Sequence, residues 1–436
     1  MAPMPEPGAD QGIGEAEAAL DTCLARIQAE DHQWNAMLAL SPGARAAARA
    51  ADAATCRGVS LGPLHGMVLA LKDNIDVAGM ATTSGCLALA QAMPLANAAV
   101  VDRLTAAGAV IVGKTNLSEF SFEVRSRSSL GGDVRCPHAP DATAGGSSGG
   151  SAVAAARGFA MAAIGTDTGG SIRIPAACNG LVGLRPAHGA LPMAGIAPLA
   201  PSTDTVGPIA RTVADAERIY RAMGGAVPDM SRKSAPRVGV LRQAFGRDPH
   251  IAAAAERALA ALAQDGTVLV DPFEVPGIEA LLAGPHIVDI EFAAAFDAYL
   301  AANFAAGTGP SSLAAILESG RFLADHRPSI AARLVRDPAE AGPVLERHRQ
   351  LHAALVAAMT AHRLDALVFP TMQVVPEGLG NPPVGWAPEL APRTGWPAIS
   401  VPAPVPAGTR PVGIELLAPA GRERLLFDLA GTIENA

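Results

Sequence analysis

Two serine clusters flanked by glycine are the part of the sequence best suited to chemistry. The first reads G-G-S-S-G-G-S over residues 145–151, and the second reads G-T-D-T-G-G-S over residues 165–171. Glycine tolerates positive φ and lets backbone N–H groups approach a ligand closely. We therefore predict an oxyanion hole in the second cluster, with Ser171 as the nucleophile. The predicted donors are the backbone amides of Thr168, Gly169, Gly170 and Ser171.

A base must lie near the nucleophile, because a serine hydroxyl is weak by itself. None of the ten histidines lies in the two clusters. Lys72 is the candidate, since it follows the apolar residues 67–71, which are typical of a buried strand. Burial disfavours the charged form of lysine and can lower its pKa from ~10.4 to the ~7–8 that is useful in catalysis. We expect Lys72 to act as a neutral base.

Three motifs of this sequence resemble those of the amidase signature family. They are G-P-L-H-G leading to L-K-D-N at residues 62–74, the cluster at 145–151, and the second cluster continued to Arg173. Further similarity is found at residues 180–186, 204–208 and 396–402. The resemblance covers roughly residues 10–225 and 360–430.

The resemblance implies a Lys–cis-Ser–Ser triad. Lys72 is then the base, Ser147 the proton relay after a cis peptide bond from Gly146, and Ser171 the nucleophile. It also implies supporting roles for Ser148, Asp167 and Arg173. Implied substrate contacts are Ser121, Gly145 and Gly146. The sequence departs from the family pattern at Cys178, Asn179 and Arg185.

The implied activity is hydrolysis of a C–N bond in a small amide, or in a related anilide, carbamate or urea-type substrate, through an acyl-enzyme on Ser171. Carbamate and ester cleavage share the same carbonyl electrophile. The reaction needs neither a metal nor a cofactor. The implied partner is a small-molecule amide or carbamate.

Two alternative functions remain. Residues 145–149 also satisfy G-x-S-x-G, which would make Ser147 the nucleophile of an α/β-hydrolase esterase, although the preceding residues 136–141 are polar and contain proline rather than forming an apolar strand. The second alternative is the amidase-type subunit of a tRNA-dependent amidotransferase. Cys178 lies near the site, but we expect it to be a small core residue.

The elements that must position these residues predict an α/β fold. Apolar runs typical of strands occur at 67–71, 109–112, 159–164, 237–241, 366–369 and 398–401. Helical patterns occur at 13–30, 43–54, 98–107, 151–157 and 171–178, and residues 126–150 read as a loop. The family resemblance implies an α/β/α sandwich with a large mixed β-sheet covered by helices. We expect a single amidase signature domain, 1–436.

The middle of the chain is predicted to form a variable helical cap. A linker-like stretch at 224–236 precedes alanine-rich helical segments, so the cap spans approximately residues 225–360. Aromatic residues are scarce elsewhere but cluster in it. These are Phe292, Phe296, Tyr299 and Phe304. We expect them mainly to pack the core, and we hypothesise that some line an apolar substrate pocket.

Composition and charge narrow the remaining function classes. The formal net charge is −8 and charged residues make up 17%, so no basic footprint for nucleic acid is evident. No apolar run reaches the ~18 residues of a membrane span, and residues 1–14 lack the pattern of an export signal. The five cysteines are odd in number and widely spaced. We therefore expect a cytoplasmic monomer or homodimer that binds neither nucleic acid nor a membrane.

Overall fold

A computed structural model of the chain describes residues 14–228, 234–380 and 385–436. The helices are α1 Glu15–Trp34, α2 Ala44–Cys56, α3 Ala99–Ala106, α4 Gly149–Arg157, α5 Arg173–Asn179, α6 Val213–Ala222, α7 Pro249–Gln264, α8 Ile278–Leu282, α9 Val288–Asn303, α10 Leu313–Ser319, α11 Arg327–Leu334, α12 Ala341–His362, α13 Leu390–Thr394 and α14 Glu423–Glu434. The strands are β1 Met37–Leu40, β2 Val68–Lys72, β3 Val110–Thr115, β4 Arg127–Ser128, β5 Gly132–Asp133, β6 Arg135–Cys136, β7 Ala139–Thr143, β8 Ala162–Asp167, β9 Val182–Arg185, β10 Thr205–Ala210, β11 Arg237–Leu241, β12 Val268–Phe273, β13 Ala366–Pro370, β14 Ala398–Pro402 and β15 Gly413–Leu417. The N-terminal stretch read as lacking an export signal lies outside the described residues except for Gly14, and so does part of the predicted linker, residues 229–233.

One mixed sheet organises the fold. Its eleven strands run in the order β1-β3-β2-β8-β10-β9-β14-β15-β13-β11-β12. The pairs β2–β3, β2–β8, β11–β12 and β11–β13 are parallel, and the remaining neighbours are antiparallel. The pairs β4–β5 and β6–β7 form separate two-stranded hairpins. The predicted α/β fold with a large mixed sheet is confirmed.

The central strands are covered on both faces. Every residue of β2, β3, β8, β9 and β10 is buried. Strands with this burial favour apolar side chains in both directions, which is why β2 and the first halves of β3 and β8 appear in the sequence as continuous apolar runs rather than alternating ones. Small side chains of α4, including Ala152, Ala154 and Ala155, have no exposed surface and let this helix pack closely on β8 and β2.

The parallel strands β2 and β8 bring the chemical motifs together. Leu69 pairs with Ala162, and Leu71 pairs with Ile164. Both strands therefore end at the same edge of the sheet. Lys72 is the last residue of β2, and Asp167 is the last residue of β8. The loop after β8 leads directly to Ser171 and α5, so Ser171 and Lys72 both follow from this edge of the sheet.

The segment predicted as a helical cap, residues 225–360, is helical only in part. It contributes β11 and β12 to the main sheet, and α7 buries Ile251 and Leu259 in the main hydrophobic core. A second hydrophobic core forms farther along the segment, from α9 to the start of α12. The sequence alone could not separate these parts, because alanine-rich helices have the same composition in both.

The aromatic residues of α9 pack in this second core. Phe292 and Phe296 are almost fully buried and stack with ring centroids 5.0 Å apart. Phe296 also contacts Phe120, and the hydroxyl of Tyr299 donates to Asp76 at 2.6 Å. Phe304, just after α9, contacts Tyr299 with centroids 5.4 Å apart. The expected packing role therefore accounts for Phe292 and Phe296, which join the cap to the loop before Ser121.

Candidate active site

Lys72 lies at the floor of the candidate site, fully buried at the end of β2. Its Nζ atom is 2.7 Å from Ser147 Oγ and 2.8 Å from Thr166 Oγ1. Burial lowers the pKa of Lys72 to about 7, although the carboxylates of Asp167 and Asp204 act in the opposite direction. A substantial fraction of the amine is therefore neutral near pH 7 and can accept a proton.

Ser147 is held by its backbone as well as by the lysine. The Gly146–Ser147 peptide bond is cis, as the resemblance predicted. The carbonyl of Ser147 accepts the N–H of Ser118 at 3.0 Å and the hydroxyl of Ser126 at 3.1 Å. Ser126 also donates to Gly145 O at 2.9 Å and accepts the N–H of Gly149 at 2.8 Å. The Ser126 hydroxyl thus contacts the backbone on both sides of the cis peptide bond.

Ser171 stands between the end of β8 and the start of α5. Its carbonyl accepts the N–H of Ser148 at 3.2 Å, which links the two serine clusters. Ser148 Oγ in turn donates to the carbonyl of Thr166 at 3.2 Å. The Ser171 hydroxyl forms no hydrogen bond within the described ranges, and the residue is 5% exposed. It is the serine of the proposed triad that a substrate can reach.

The four predicted oxyanion donors are not equivalent. The N–H of Gly170 donates to Asp167 Oδ1 at 2.9 Å, which corrects its assignment as a donor to substrate. In the part of the chain that the structure describes, the N–H groups of Thr168, Gly169 and Ser171 make no hydrogen bond. These three remain available to a developing oxyanion.

A buried ionic network holds the loop that bears Ser171. Asp167 accepts the N–H groups of Gly170 and Ile172, and it pairs with Arg173 and Arg185 at 3.1 Å each. Burial alone would raise the pKa of Asp167, but the two guanidinium groups hold it well below its ordinary range. Arg173 also pairs with Glu415 of β15. Burial raises the pKa of Glu415 to about 7 against the opposing effect of Arg173.

Asp204 fixes the other side of the same loop. It accepts the hydroxyl of Thr168 at 2.6 Å and the N–H of Leu199 at 2.9 Å. Burial raises the pKa of Asp204 to about 6, opposed by these hydrogen bonds. Arg185, where the family pattern has a different residue, donates to the carbonyl of Thr203 at 2.8 Å. Arg185 therefore ties β9 to the segment before β10, next to Asp204.

The predicted substrate contacts lie in different settings. Ser121 is 8% exposed, has φ 62°, and donates its N–H to Ser118 O at 2.7 Å. Gly146 packs on the backbone of Arg125, where an added Cβ would approach within 2.8 Å of its carbonyl carbon. A Cβ added at Gly145 would lie 2.9 Å from Cys178 Sγ. The two glycines allow close backbone packing, and their role in binding substrate stays a prediction.

Several residues of this site were not recognised in the sequence. Thr166 contacts Lys72 from within the second cluster, and Ser126 is the first residue of the predicted loop. Thr166 could have been found from its motif, but Ser126 and Glu415 carry no local signal. Cys178 is buried, and burial raises its thiol pKa well above the ordinary value, which disfavours a thiolate nucleophile.

The α/β-hydrolase alternative is not supported by the position of Ser147. Among the strands that the structure describes, the preceding strand β7 pairs with β6 alone, in a hairpin outside the main sheet. Ser147 has no exposed surface and its hydroxyl contacts Lys72. A nucleophile elbow would instead present the serine above the sheet, open to substrate.

Neither a metal cluster nor a membrane-spanning helix occurs in the described ranges. Residues 14–228, 234–380 and 385–436 contain no group of three or more His, Cys, Asp or Glu side chains arranged to hold a metal ion. In those same ranges, no helix combines the length and the apolar character needed to cross a membrane.

Comparison with known proteins identifies two kinds of relatives, amidotransferase subunits and a peptide amidase. The chain is 42% identical over 287 residues to one glutamyl-tRNA(Gln) amidotransferase subunit, from Anaeromyxobacter sp. (strain K), covering 60% of this chain and 58% of that protein. It is 33% identical to the corresponding subunit from Synechococcus sp. (strain WH7803), covering 98% and 94% of the two chains. The matches to several of these relatives span little more than half of their length.

These names correct the expected partners. The sequence was expected to specify a small-molecule partner, no nucleic acid and a monomer or homodimer, whereas the relatives are one subunit of an enzyme named for a tRNA. The formal net charge of −8 describes this chain alone. It does not address an assembly in which another subunit holds the nucleic acid.

A solved structure of similar fold is that of an amide-cleaving enzyme. The peptide amidase of Stenotrophomonas maltophilia superimposes with a TM-score of 0.84 at 30% identity, covering 99% of this chain and 98% of that one. A family model described as "Amidase" matches residues 18–427. The chain therefore belongs to the amidase family, whose enzymes act on carbon–nitrogen bonds.

Proposed function

We propose that this protein cleaves an amide through an acyl-enzyme on Ser171, with Ser147 as proton relay and Lys72 as base. The observation that supports the proposal most directly is the 2.7 Å contact between Lys72 Nζ and Ser147 Oγ. A buried amine with a pKa of about 7 beside a serine hydroxyl is suited to general-base catalysis.

The reaction has two steps. Ser171 Oγ attacks the carbonyl carbon while its proton passes to Ser147 and the proton of Ser147 passes to Lys72. The carbonyl oxygen becomes an oxyanion, which the amides of Thr168, Gly169 and Ser171 stabilise. The C–N bond then breaks, and the same relay returns a proton to the departing amine. Water attacks the acyl-enzyme by the same route and releases the acid.

Carbamates, anilides and esters present the same carbonyl to this machinery. The sequence motifs do not rank these electrophiles. The similarity to the peptide amidase favours an amide, because that enzyme is named for amide cleavage. The match extends over 99% of this chain and 98% of that one, with a TM-score of 0.84.

Trapping the acyl group tests the nucleophile. Trypsin cleaves after Arg135, Arg157 and Arg173, so Ser147 and Ser171 fall on separate peptides, 136–157 and 158–173. After incubation with a slowly hydrolysed p-nitrophenyl carbamate, we expect the added mass on peptide 158–173. Ser171→Ala should abolish labelling, whereas Ser147→Ala should slow it without moving it. Labelling of peptide 136–157 would contradict the proposal.

A second candidate is the amide-cleaving subunit of a tRNA-dependent amidotransferase. It is supported by the 33% identity over nearly the whole chain to the Synechococcus relative. In this role the released ammonia passes to an acceptor on a partner subunit. The chemistry at Ser171 is the same, so the two candidates differ in what consumes the nitrogen.

Affinity capture of the tagged full chain from its own cells distinguishes the candidates. Stoichiometric partner polypeptides, together with glutamine hydrolysis that increases when glutamyl-tRNA is added, would support the amidotransferase role. Hydrolysis of simple amides by the purified chain alone, unaffected by tRNA, would support an independent amidase.

A further inference from the structure

A turn from the C-terminal part of the chain packs directly on the loop 168–172, which bears Ser171. It is the short 3₁₀ segment Ala387–Glu389, just before α13. The carbonyl of Pro388 accepts a hydrogen bond from Arg173 at 2.8 Å. An added Cβ at Gly170 would lie 2.8 Å from Pro388 Cβ, and one at Gly169 would lie 2.7 Å from Glu389 Oε1. Glycine at both positions lets the turn and the loop touch.

The Glu389 carboxylate is held through one oxygen only. Its Oε2 atom accepts from Arg393 Nε at 3.2 Å and lies 3.1 Å from His286 Nε2. His286 Nδ1 accepts the N–H of Val288 at 3.3 Å, so Nε2 is the ring nitrogen that bears hydrogen. Oε1 forms no hydrogen bond to any residue that the structure describes. Burial acts to raise the pKa of Glu389, but His286 and Arg393 hold it below the ordinary value, so the group is ionised at neutral pH.

The free oxygen is located where the loop opens to solvent. Thr168, Gly170 and Ser171 are buried, whereas Gly169 between them is partly exposed. The Glu389 side chain is 24% exposed. The free Oε1 atom therefore lies beside the partly exposed Gly169, next to the N–H groups assigned to the substrate carbonyl.

One free carboxylate oxygen selects among cationic groups. A guanidinium binds a carboxylate best through two parallel hydrogen bonds, which needs both oxygens. Oε2 is already engaged by His286 and Arg393. An ammonium group acts as a compact charge and can bind a single oxygen. The free oxygen thus favours an ammonium over a guanidinium.

We propose that Glu389 is a specificity-determining residue that binds a protonated amino group of the substrate close to the scissile amide. The substrate class is then amides that carry a free amine near the carbonyl, such as amino-acid amides. This inference rests on the proposed function of Ser171. It adds the recognition of a second group, which the triad does not supply.

A matched pair of substrates tests the proposal. Leucinamide and 4-methylpentanamide have the same carbon skeleton and differ in the amino group. At pH 7 we expect the full chain to prefer leucinamide in kcat/KM by about tenfold or more, the effect of one charge-assisted hydrogen bond. Glu389→Gln should remove most of this preference, and Glu389→Asp should retain part of it. Glu346→Gln is the control, because Glu346 is an exposed residue paired with Arg349.

The outcomes separate the two proposals. If neither amide is hydrolysed and no acyl group forms on Ser171, the proposed function fails. If both are hydrolysed and Glu389→Gln lowers kcat/KM for both by the same factor, Glu389 only supports the loop and the specificity proposal is wrong. A wild-type protein without preference for leucinamide would also overturn it. Thermal unfolding of each variant shows whether lost activity reflects lost folding.

Discussion

The Nζ atom of Lys72 and the Oγ atom of Ser147 lie 2.7 Å apart, and both side chains are fully buried. No bulk water competes for either group. Among the described residues, the lysine amine has two hydrogen-bond partners, the hydroxyls of Ser147 and Thr166, and neither is charged. Burial with uncharged partners explains why its pKa is lowered to about 7.

Replacing the base should remove most of the activity. Lys72→Met keeps a long apolar side chain but cannot accept a proton. We expect kcat to fall about 10²–10⁴-fold, the usual contribution of a positioned base. Steady-state hydrolysis of the preferred amide measures the loss, with circular dichroism to verify folding. A decrease of less than about tenfold would show that another group takes the proton.

The pH dependence of the rate should report the lysine. Protonated Lys72 cannot accept a proton, so kcat/KM should rise with pH through an apparent pKa of about 7 and then level off. The carboxyl group of Glu415 also has a pKa of about 7, raised by burial. Glu415→Gln is therefore the control, and the rise should persist in this variant. If the rise disappears with Glu415→Gln, the titrating group is the carboxyl and not the amine.

Stability should depend on pH through the same amine. The pKa of Lys72 is about 7 in the folded protein, against ~10.4 for an unperturbed lysine. Between these values the unfolded chain binds a proton that the folded protein lacks, so the free energy of unfolding increases with pH.

Comparison with Lys72→Met isolates this effect. The free energy of unfolding of the wild type minus that of the variant should grow by about 2 kcal/mol from pH 7 to pH 9. Urea unfolding of both proteins at the two pH values measures it. A difference that does not change with pH would mean that the buried amine remains protonated.

Strands that begin with apolar residues and are buried on both faces were predictable, because such burial leaves a continuous apolar run in the sequence. This holds for β2 and β3, whose predicted bounds differ from the observed ones by a few residues. The strand predicted at 159–164 is observed at Ala162–Asp167, and the prediction ended too early because Gly165 interrupts the apolar run. Composition cannot reveal that a glycine-containing stretch continues the ladder beside β10.

Strands that contain polar or breaking residues were missed. The strand β10 includes Gly207 and Pro208, which argue against a strand in sequence. The strand β15 contains Glu415, which is fully buried only because Arg173 pairs with it across the fold. The contact joins residues far apart in the chain, and a single sequence holds no record of it.

The residues of the site also divide into those that the sequence reveals and those that it does not. Lys72, Ser147 and Ser171 are identifiable because their motifs are local. Ser126 and Glu389 are not, because each acts through contacts with distant backbone or with a distant loop. Their side-chain types are common on protein surfaces, and only the tertiary structure shows what they touch.

Removing the charge of Asp167 should destabilise the fold. Asp167→Asn leaves Arg173 and Arg185 buried without their shared carboxylate. Breaking a buried pair in this way costs about 3–5 kcal/mol. Chemical unfolding measures the change, and Asp21→Asn is the control, because Asp21 forms a solvent-exposed pair with Arg45 that contributes little to stability. Similar small losses for both variants would show that Glu415 alone compensates the two arginines.

The hydroxyl of Ser126 should affect catalysis through the position of Ser147. It contacts the carbonyls of Gly145 and Ser147 and the N–H of Gly149, so it holds the loop on both sides of the relay serine. Ser126→Ala removes this partner from the buried Gly145 carbonyl and Gly149 N–H and leaves the Ser147 carbonyl with the N–H of Ser118, at a cost of about 1–3 kcal/mol in stability. We expect kcat to fall by about tenfold or more with a smaller change in KM, because a small displacement of Ser147 interrupts proton transfer without removing substrate contacts.

Rapid-mixing measurement of acylation separates this positioning role from simple destabilisation. At a temperature where the variant remains folded, the acylation rate of Ser171 should still be reduced. Ser60→Ala serves as the control, since Ser60 is an exposed turn residue that bonds Gly62. An acylation rate within about twofold of the wild type, despite a lower melting temperature, would mean that Lys72 and the N–H of Ser118 suffice to place the relay serine.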